Sequence, residues 1–230
     1  SAPSNQEVPS YVQVVGAVYK NSDPSDIAVT AAGGLVGEVI QVWRPRELNT
    51  HETEWGFSCM SYEISGALGI KMANPDKEVI SFVGDGSYLL NNTDIYSSVI
   101  TNNKLIIIVC DNGGFAVINR LQLFKGGNEY NNLLKSSNTP GLVNVDFAKH
   151  AESMGAKSEH VNSISDLEEA FKRAKKSDVT YVISIKTHAY QWLEGSAFWD
   201  SPTLEIPTTK ENKEALKLYK EGKNKQRQGV

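Results

Sequence analysis

The sequence has few cysteines and lacks the patterns through which cysteine clusters act. Only Cys59 and Cys110 occur among its 230 residues, too few for the disulfide framework of a small secreted protein. Each lies in an apolar stretch, and free cysteine is among the most frequently buried residue types. We therefore expect two buried, reduced thiols and no redox function.

The sequence also lacks an excess of positive charge and a long apolar run. Lysine and arginine number 23 against 27 aspartates and glutamates, a net charge of −4 at pH 7, so nucleic acid is not an expected partner. The longest strongly apolar run, 105–110, is far below the roughly 20 residues that cross a bilayer, and no signal-peptide pattern begins the chain. We expect a soluble, cytoplasmic protein with no membrane partner.

What is present is an alternation of strand and helix patterns. Residues 105–110 are apolar at every position, which is typical of a central parallel strand that helices cover on both faces. Further strands are predicted at 26–32, 78–83, 157–161 and 179–186, and helices at 11–19, 60–71, 89–100, 147–154 and 165–176. This order predicts an α/β fold with a doubly wound, mostly parallel sheet and helices on both faces.

A single domain is expected, because no internal repeat or change of composition divides the chain. It is predicted to span 8–205, with a tag or linker at 1–7 and a charged helix or tail at 206–230. A loop is predicted between Trp43 and Trp55. Together with Trp192 and Trp199, these tryptophans either form a lid over a substrate or lie at a subunit interface.

Two polar turns directly follow predicted strands. Gly-Asp-Gly-Ser at 84–87 follows the strand at 78–83, and Asp-Asn-Gly-Gly at 111–114 follows the strand at 105–110. Ligands of open α/β sheets bind beyond the carboxyl ends of the strands. If the two strands are neighbours, Asp85 and Asn112 lie close together.

These turns combine groups that suit a phosphate with groups that suit a cation. Glycines let backbone N–H groups approach an anion at the start of a helix, but Asp85 would repel a phosphate unless a divalent cation lay between them. Carboxylate, amide and carbonyl oxygens are ligands that Mg²⁺ or Ca²⁺ prefers, so a metal-bridged diphosphate is predicted. The alternative is that both turns are purely structural, since Asp-Gly and Asn-Gly are common turn dipeptides. The Walker and G-x-G-x-x-G nucleotide motifs are absent.

The same turns resemble the cofactor motif of thiamine-diphosphate enzymes, which begins Gly-Asp-Gly and usually ends in a pair of asparagines. Here Asp111 takes the place of the first asparagine, and Asn112 is the second. A third segment, Gly-Phe-Ser-Cys-Met at 56–60 with Ser-Gly-Ala-Leu-Gly at 65–69, is similar to the part of these enzymes that holds the aminopyrimidine ring. The resemblance implies thiamine diphosphate and Mg²⁺ as cofactors.

The resemblance also implies a role for each residue of the motifs. Mg²⁺ would be bound by the side chains of Asp85 and Asn112 and by the carbonyl of Gly114. The remaining cofactor contacts fall into two groups. The diphosphate would be met at Gly84 and by the backbone of Gly86 and Ser87, whereas the Ser58 carbonyl would accept from the 4′-amino group and Met60 would support the thiazolium ring.

A finer resemblance is to the hydrolases of myo-inositol breakdown within this family, which open a six-membered cyclic 1,2-dione by breaking a C–C bond. The similar segments lie at 51–63, 114–122, 192–199 and 219–227. Arg120 departs from the pattern, which has asparagine there, as does Ala-Val at 116–117, where Gly-Cys is expected. The implied substrate is a small polyhydroxylated cyclic dione.

The family places the acid that activates the pyrimidine ring on a separate module. That glutamate belongs to a pyrimidine-binding domain, contributed by a second subunit. We expect this domain and a middle domain to lie outside the present sequence, the full-length protein to be a homodimer or homotetramer, and the isolated chain to be inactive.

The ring opening that the resemblance implies needs further proton transfers, which require an acid or base near the substrate. The candidates here are His51, Glu52, Glu54 and His188. A structural interpretation competes for each, namely an exposed charged loop for the first three and a strand-end cap for His188.

Three other functions remain open on the sequence. The same cofactor module serves 2-oxoacid decarboxylases and acetohydroxyacid-synthase-like carboligases. A non-catalytic interaction domain would keep the Gly-Asp-Gly turn for structure alone. A different nucleotide binder of the same fold class is the third, since fold does not determine function.

Overall fold

The computed structural model describes residues 7–138, 144–193 and 203–226. Their strands form a six-stranded sheet in the order β2-β1-β3-β4-β6-β5, in which every pair is parallel. The strands are β1 Ile27–Thr30, β2 His51–Thr53, β3 Val79–Gly84, β4 Ile106–Asp111, β5 Lys157–Val161 and β6 Tyr181–Lys186. The predicted α/β fold class is confirmed.

Helices connect the strands and cover both faces of the sheet. They are α1 Tyr11–Asn21, α2 Gly33–Val42, α3 Tyr62–Ala73, α4 Asp85–Leu90, α5 Thr93–Ile100, α6 Ala116–Phe124, α7 Phe147–Ser153, α8 Ile164–Lys175 and α9 Lys210–Asn224. No helix of the described residues is both long enough and apolar enough to span a membrane.

Alternate side chains of each central strand enter two separate cores. Phe82 and Ile108 belong to the core beneath α1, α2 and α8, whereas Val83 and Ile107 belong to the one beneath α3, α5 and α7. This follows from the two-residue period of a strand. Residues buried on both faces explain why β3 and β4 were predictable as apolar runs.

Three local predictions about elements were wrong. The loop expected between Trp43 and Trp55 contains β2, whose three residues extend the sheet beyond β1. The glycine pair at 33–34 is predicted as a turn from the strand at 26–32 into a loop, but it begins α2, with Gly33 at φ +77°. The helix expected at 89–100 is interrupted, so that α4 ends at Leu90 and α5 begins at Thr93.

The burial of Cys59 and of Trp43 also differs from what the sequence predicts. Cys110 is buried within β4 as expected, but Cys59 is exposed, because it lies in a loop ahead of α3 and not in an element of the core. Trp43 is buried between Tyr19 and Phe82, with ring centroids 5.3 and 5.9 Å away. It therefore cannot form part of a lid, and Trp199 lies outside the described residues.

The charged C-terminal segment packs on the outside of the fold as α9. Its Asn212 side-chain amide donates to the carbonyls of Lys125 and Gly126, at 3.2 and 2.9 Å, just after α6. Residues 1–6 of the predicted tag or linker and the end of the predicted tail, 227–230, lie outside the described residues.

Candidate metal and cofactor site

The two polar turns meet at the carboxyl edge of the sheet. β3 and β4 are parallel neighbours, with Val83 opposite Val109 and Gly84 opposite Cys110. The residues that follow them are therefore brought side by side, and the N–H of Gly114 donates to Oδ2 of Asp85 at 2.7 Å. The strand adjacency on which the sequence prediction depended is therefore present.

Glycine geometry fixes the turn at 111–114. Gly113 and Gly114 have φ values of +79° and +137°, a region that L side chains rarely adopt. A Cβ on Gly114 would also lie 2.5 Å from the carbonyl oxygen of Asn132. The antiparallel bridge there joins Phe115 N–H to Asn132 and Leu134 N–H to Gly113, so it leaves the Gly114 carbonyl out of its hydrogen bonds.

Asp85 is a buried carboxyl beside a second one. Burial raises the pKa of Asp85 to about 7, and the charge of nearby Asp111 contributes to the shift. Asp111 itself forms an ion pair with Lys186. Within the described part of the chain, no lysine or arginine offsets the charge of Asp85 in this way, so Asp85 is suited to a bound cation.

Asn112 presents an unused acceptor at the same place. Its amide nitrogen donates to the hydroxyl of Tyr11, while its buried Oδ1 has no hydrogen-bond partner among the described residues. The buried hydroxyls of Thr30, which ends β1, and Thr187, which follows β6, are also unsatisfied in that part of the chain. An unsatisfied buried polar group costs about 1–3 kcal/mol, so these three oxygens are candidates for contacts with a ligand.

The donor set decides which kind of metal fits. The described residues contain no cluster of three or more histidine, cysteine or acidic side chains that could hold a metal ion. A carboxylate, an amide oxygen and a backbone carbonyl are all hard oxygen ligands, which suit Mg²⁺ and do not suit zinc or copper. Asp85, Asn112 and Gly114 therefore fit a magnesium ion, as the sequence predicts.

The Gly-Asp-Gly turn leads directly into α4. Gly86 lies under the ring of Phe115, where a Cβ would approach the ring carbon Cε1 to 2.5 Å. Gly84 differs, because it has an ordinary φ of −77° and open space where a Cβ would lie. A side chain at 86 would therefore displace the half-exposed Phe115 ring, whereas one at 84 would meet nothing.

The segment 54–61, which we call the ring loop, is exposed at 55–60, ends at buried Ser61 and is held by hydrogen bonds. The Glu54 carboxylate accepts from the N–H groups of Phe57 and Cys59 at 2.9 and 2.7 Å, and these bonds lower its pKa. Ser58 and Ser61 have φ values of +50° and +82°. The predicted ring contacts, Ser58 and Met60, are both exposed in this loop.

The four acid–base candidates lie on β2, directly after it, and after β6. His51 is half-buried on β2, where burial lowers its pKa and its Nε2 lies 3.0 Å from Thr53 Oγ1. Glu52 is exposed beside it, and Glu54 is occupied by the ring loop. His188 follows β6, and its Nδ1 accepts from the N–H of Tyr190 at 3.0 Å. Their catalytic roles stay predictions.

Arg120, the departure from the family pattern, lies over Trp192. Its guanidinium carbon is 4.3 Å from the ring centroid. The buried carboxylate of Glu38 accepts from the N–H of Leu193 at 3.0 Å, and its charge also acts on Arg120. These contacts fasten the segment after β6 to α2 and α6.

Sequence reasoning missed three residues that shape this site. Tyr11 contacts Asn112 from α1, a hundred residues earlier in the chain, and nothing in its local sequence indicates this. Lys186 ends β6 and pairs with Asp111. Glu63 is buried in the first turn of α3, and a charged residue inside an otherwise apolar helical pattern was the available signal.

Comparison with known proteins agrees with this geometry. Residues 31–185 match the family model described as "Thiamine pyrophosphate enzyme, C-terminal TPP binding domain". The chain belongs to this family. It is 36% identical over 205 residues to 3D-(3,5/4)-trihydroxycyclohexane-1,2-dione hydrolase of Bacillus licheniformis, covering 89% of this chain and 32% of that protein. The corresponding protein of Lacticaseibacillus casei is 37% identical over 211 residues, 91% of this chain and 32% of the relative.

Solved structures of the family share the fold. A 4-hydroxybenzoylformate decarboxylase of Rhodococcus jostii RHA1, described as thiamine diphosphate-dependent, matches with a TM-score of 0.69 at 22% identity, covering 82% of this chain and 34% of that one. Benzoylformate decarboxylase of Polynucleobacter necessarius matches with a TM-score of 0.72 at 19% identity over 82% and 35%. This thiamine-pyrophosphate-binding chain spans about a third of the length of the curated relatives it matches.

Proposed function

We propose that this chain is the cofactor-binding part of a thiamine-diphosphate-dependent hydrolase that opens trihydroxycyclohexane-1,2-dione. The expected product is 5-deoxyglucuronate, formed by C–C bond cleavage in myo-inositol degradation. The observation that carries the cofactor assignment is the unsatisfied Oδ1 of Asn112 beside buried Asp85. The substrate rests on identities of 36% and 37% over about nine-tenths of the chain.

The metal part of the proposed site uses three groups. Asp85, with Oδ2 held by the Gly114 N–H, offers its other carboxylate oxygen to Mg²⁺. Asn112 offers Oδ1, whose orientation is set by the bond from its amide nitrogen to Tyr11. The Gly114 carbonyl completes the protein ligands. Pairing of Lys186 with Asp111 limits the negative charge that a diphosphate would meet there.

The organic part of the site uses the turn at 84–87 and the ring loop. Backbone at Gly84, Gly86 and Ser87 would contact the diphosphate, and Ser58 and Met60 the rings. When bound, thiamine diphosphate supplies the carbon nucleophile and the electron sink needed to break a bond next to a carbonyl. The glutamate that activates the pyrimidine would come from a pyrimidine-binding domain of a second subunit in a cytoplasmic homodimer or homotetramer.

Proton transfer to the ring-opened substrate would fall to residues on β2 or after β2 and β6. Because burial lowers the pKa of His51, its imidazole is neutral at pH 7 and able to accept a proton. Glu52 and His188 are the further candidates. Glu54 is a weaker one, because two backbone N–H groups already use its carboxylate.

A decarboxylase or carboligase is the second candidate function. The decarboxylase structures share the fold at 22% and 19% identity, and this similarity does not extend to the reaction. The higher identity to the dione hydrolases therefore favours ring opening.

Titration calorimetry of thiamine diphosphate in the presence and absence of Mg²⁺ tests the cofactor site. Binding should require Mg²⁺ and should be lost in Asp85→Ala and Asn112→Ala. Asp76→Ala is a matched control, because Asp76 is an exposed aspartate ahead of β3, at the opposite edge of the sheet. Binding that is independent of Mg²⁺, or retained in both site variants, would contradict the proposed site. The reaction is tested by comparing the rates at which the full-length protein turns over the cyclic dione and a 2-oxoacid. Faster turnover of the dione is expected.

A further inference from the structure

Glu63 is a buried carboxyl that the proposed chemistry leaves unused. It lies in the first turn of α3 with 1% of its surface exposed. A carboxyl in such a place is costly unless hydrogen bonds satisfy it. Its partners therefore indicate what it is for.

The partners of Glu63 come from two other segments. Its Oε1 accepts from the N–H of Ala32 at 3.2 Å, and its Oε2 accepts from the hydroxyl of Ser87 at 2.8 Å. The same Ser87 oxygen accepts from the N–H of Ser61 at 2.6 Å, and the Ser61 hydroxyl donates to the Ser87 carbonyl at 3.1 Å. We call this set the Glu63–Ser87–Ser61 chain.

The chain joins the two halves of the proposed cofactor site. Ser61 is the last residue of the ring loop, which carries Ser58 and Met60. Ser87 lies in α4, two residues after Asp85. Ser87 has a single hydroxyl proton, and because Glu63 receives it, the lone pairs of Ser87 remain for the Ser61 N–H.

The hydrogen bonds to Ser87 hold the backbone of Ser61 in an unfavourable conformation. Its φ is +82°, and a non-glycine residue in that region costs of order 1 kcal/mol or more, so that surrounding contacts must hold it there. The two hydrogen bonds between Ser61 and Ser87 are such contacts, and both are buried. Without them the loop end has a less strained conformation available.

We propose that Glu63 is a positioning residue that fixes the ring loop to α4 through Ser87. This connection sets the distance between the ring loop, which would contact the rings of the cofactor, and the turn at 84–87, which would contact its diphosphate. This inference rests on the proposed cofactor. It assigns Glu63 a role in discriminating thiamine diphosphate from diphosphate alone. Only a ligand that spans both halves depends on their separation.

The experiment measures two ligands against the same variants. Thiamine diphosphate with Mg²⁺ and inorganic diphosphate with Mg²⁺ are titrated into the wild type, Glu63→Gln and Ser87→Ala, and amide hydrogen exchange at Ser61 is followed without ligand. Ser97→Ala is the control, since Ser97 lies on α5 outside the Glu63–Ser87–Ser61 chain. Glu63→Gln preserves the shape of the side chain but removes one of the two acceptors that the chain uses.

Both variants should bind thiamine diphosphate about tenfold more weakly, the order expected for one lost hydrogen bond to a charged group. In Glu63→Gln, whose side chain is not among the proposed diphosphate contacts, affinity for inorganic diphosphate should stay within twofold. Exchange at Ser61 should be at least several times faster in both variants. An equal fall for both ligands would show a merely structural role and overturn the proposal. Unchanged exchange at Ser61 would overturn it as well.

Failure of the proposed function gives a different pattern. If the full-length wild-type protein binds neither ligand with Mg²⁺, the cofactor assignment fails. The exchange measurement alone then tests whether Glu63 holds the ring loop to α4. Faster exchange at Ser61 in both variants would support that link, and unchanged exchange would reject it.

Discussion

The turn at 111–114 and the ring loop at 54–61 are both proposed to contact one cofactor, yet they are held in place in different ways. The first directly follows a central strand, has two positive-φ glycines and carries a buried ligand group. The second is exposed at 55–60, has two positive-φ serines and is held by the Glu54 carboxylate and, at Ser61, by hydrogen bonds with Ser87. The turn at 111–114, the metal half of the proposed site, is thus fixed by the sheet. The ring loop, its ring half, is fixed by a few hydrogen bonds.

This comparison predicts that mutations in the metal half act on the whole fold. Gly114→Ala should lower the free energy of unfolding by about 3 kcal/mol, because a Cβ there combines a positive φ with a 2.5 Å approach to the carbonyl of Asn132. Chemical denaturation of the variant and the wild type measures this difference in the free energy of unfolding.

Gly84→Ala is the matched control for that substitution. Gly84 has φ −77° and open space around its Cα, so stability should change by less than about 1 kcal/mol while diphosphate affinity falls. Equal stability losses in the two variants would show that the turn at 111–114 is no more constrained than the one at 84–87.

The metal half also depends on a contact from a distant helix. Tyr11→Phe removes the hydroxyl that accepts from the Asn112 amide, and should raise the Mg²⁺ concentration needed for cofactor binding by about tenfold, as loss of a group that orients a metal ligand does. Tyr19→Phe, on the same helix, controls for the loss of a phenol. An unchanged Mg²⁺ requirement in Tyr11→Phe would show that Asn112 is oriented by other groups.

How far the sequence could predict this architecture differs between the two halves. Strands β3 and β4 were predictable because they are apolar throughout, and their adjacency then brought Asp85 and Asn112 together. The strand β2 was not predictable, because His-Glu-Thr at 51–53 carries no apolar pattern and is a strand only through its pairing with β1.

The supporting residues were hidden for a related reason. Tyr11 and Lys186 reach the proposed metal site through tertiary contacts, which no local pattern encodes. The Gly-Asp-Gly motif predicts a ligand site, but it holds no information on the hydroxyl of Ser87, which bonds to Glu63 and Ser61. Cys59 was expected to be buried because apolar neighbours surround it in sequence, although that stretch includes Phe57, which is 90% exposed.

The ring half should respond to pH through Glu63. Burial raises its pKa above the usual value, so the folded protein holds this proton more tightly than the unfolded chain does. The contribution of Glu63 to stability is therefore greatest below its unfolded pKa and declines as the pH rises toward its folded pKa. The wild-type melting temperature minus that of Glu63→Gln should fall between pH 4 and pH 8. A difference that rises over this range would contradict burial as the dominant cause.

The smallest expected effect is confined to the ring loop itself. Glu54→Gln keeps one acceptor oxygen but removes the second, so the N–H of Phe57 or of Cys59 loses its partner. Amide exchange at one of these residues should become faster, while exchange in β4 stays unchanged because the sheet holds the metal half independently. Glu52→Gln, at an exposed neighbour, should alter neither amide. If Glu54→Gln also speeded exchange in β4, the two halves would form one cooperative unit, and the division between sheet-held and hydrogen-bond-held regions would be wrong.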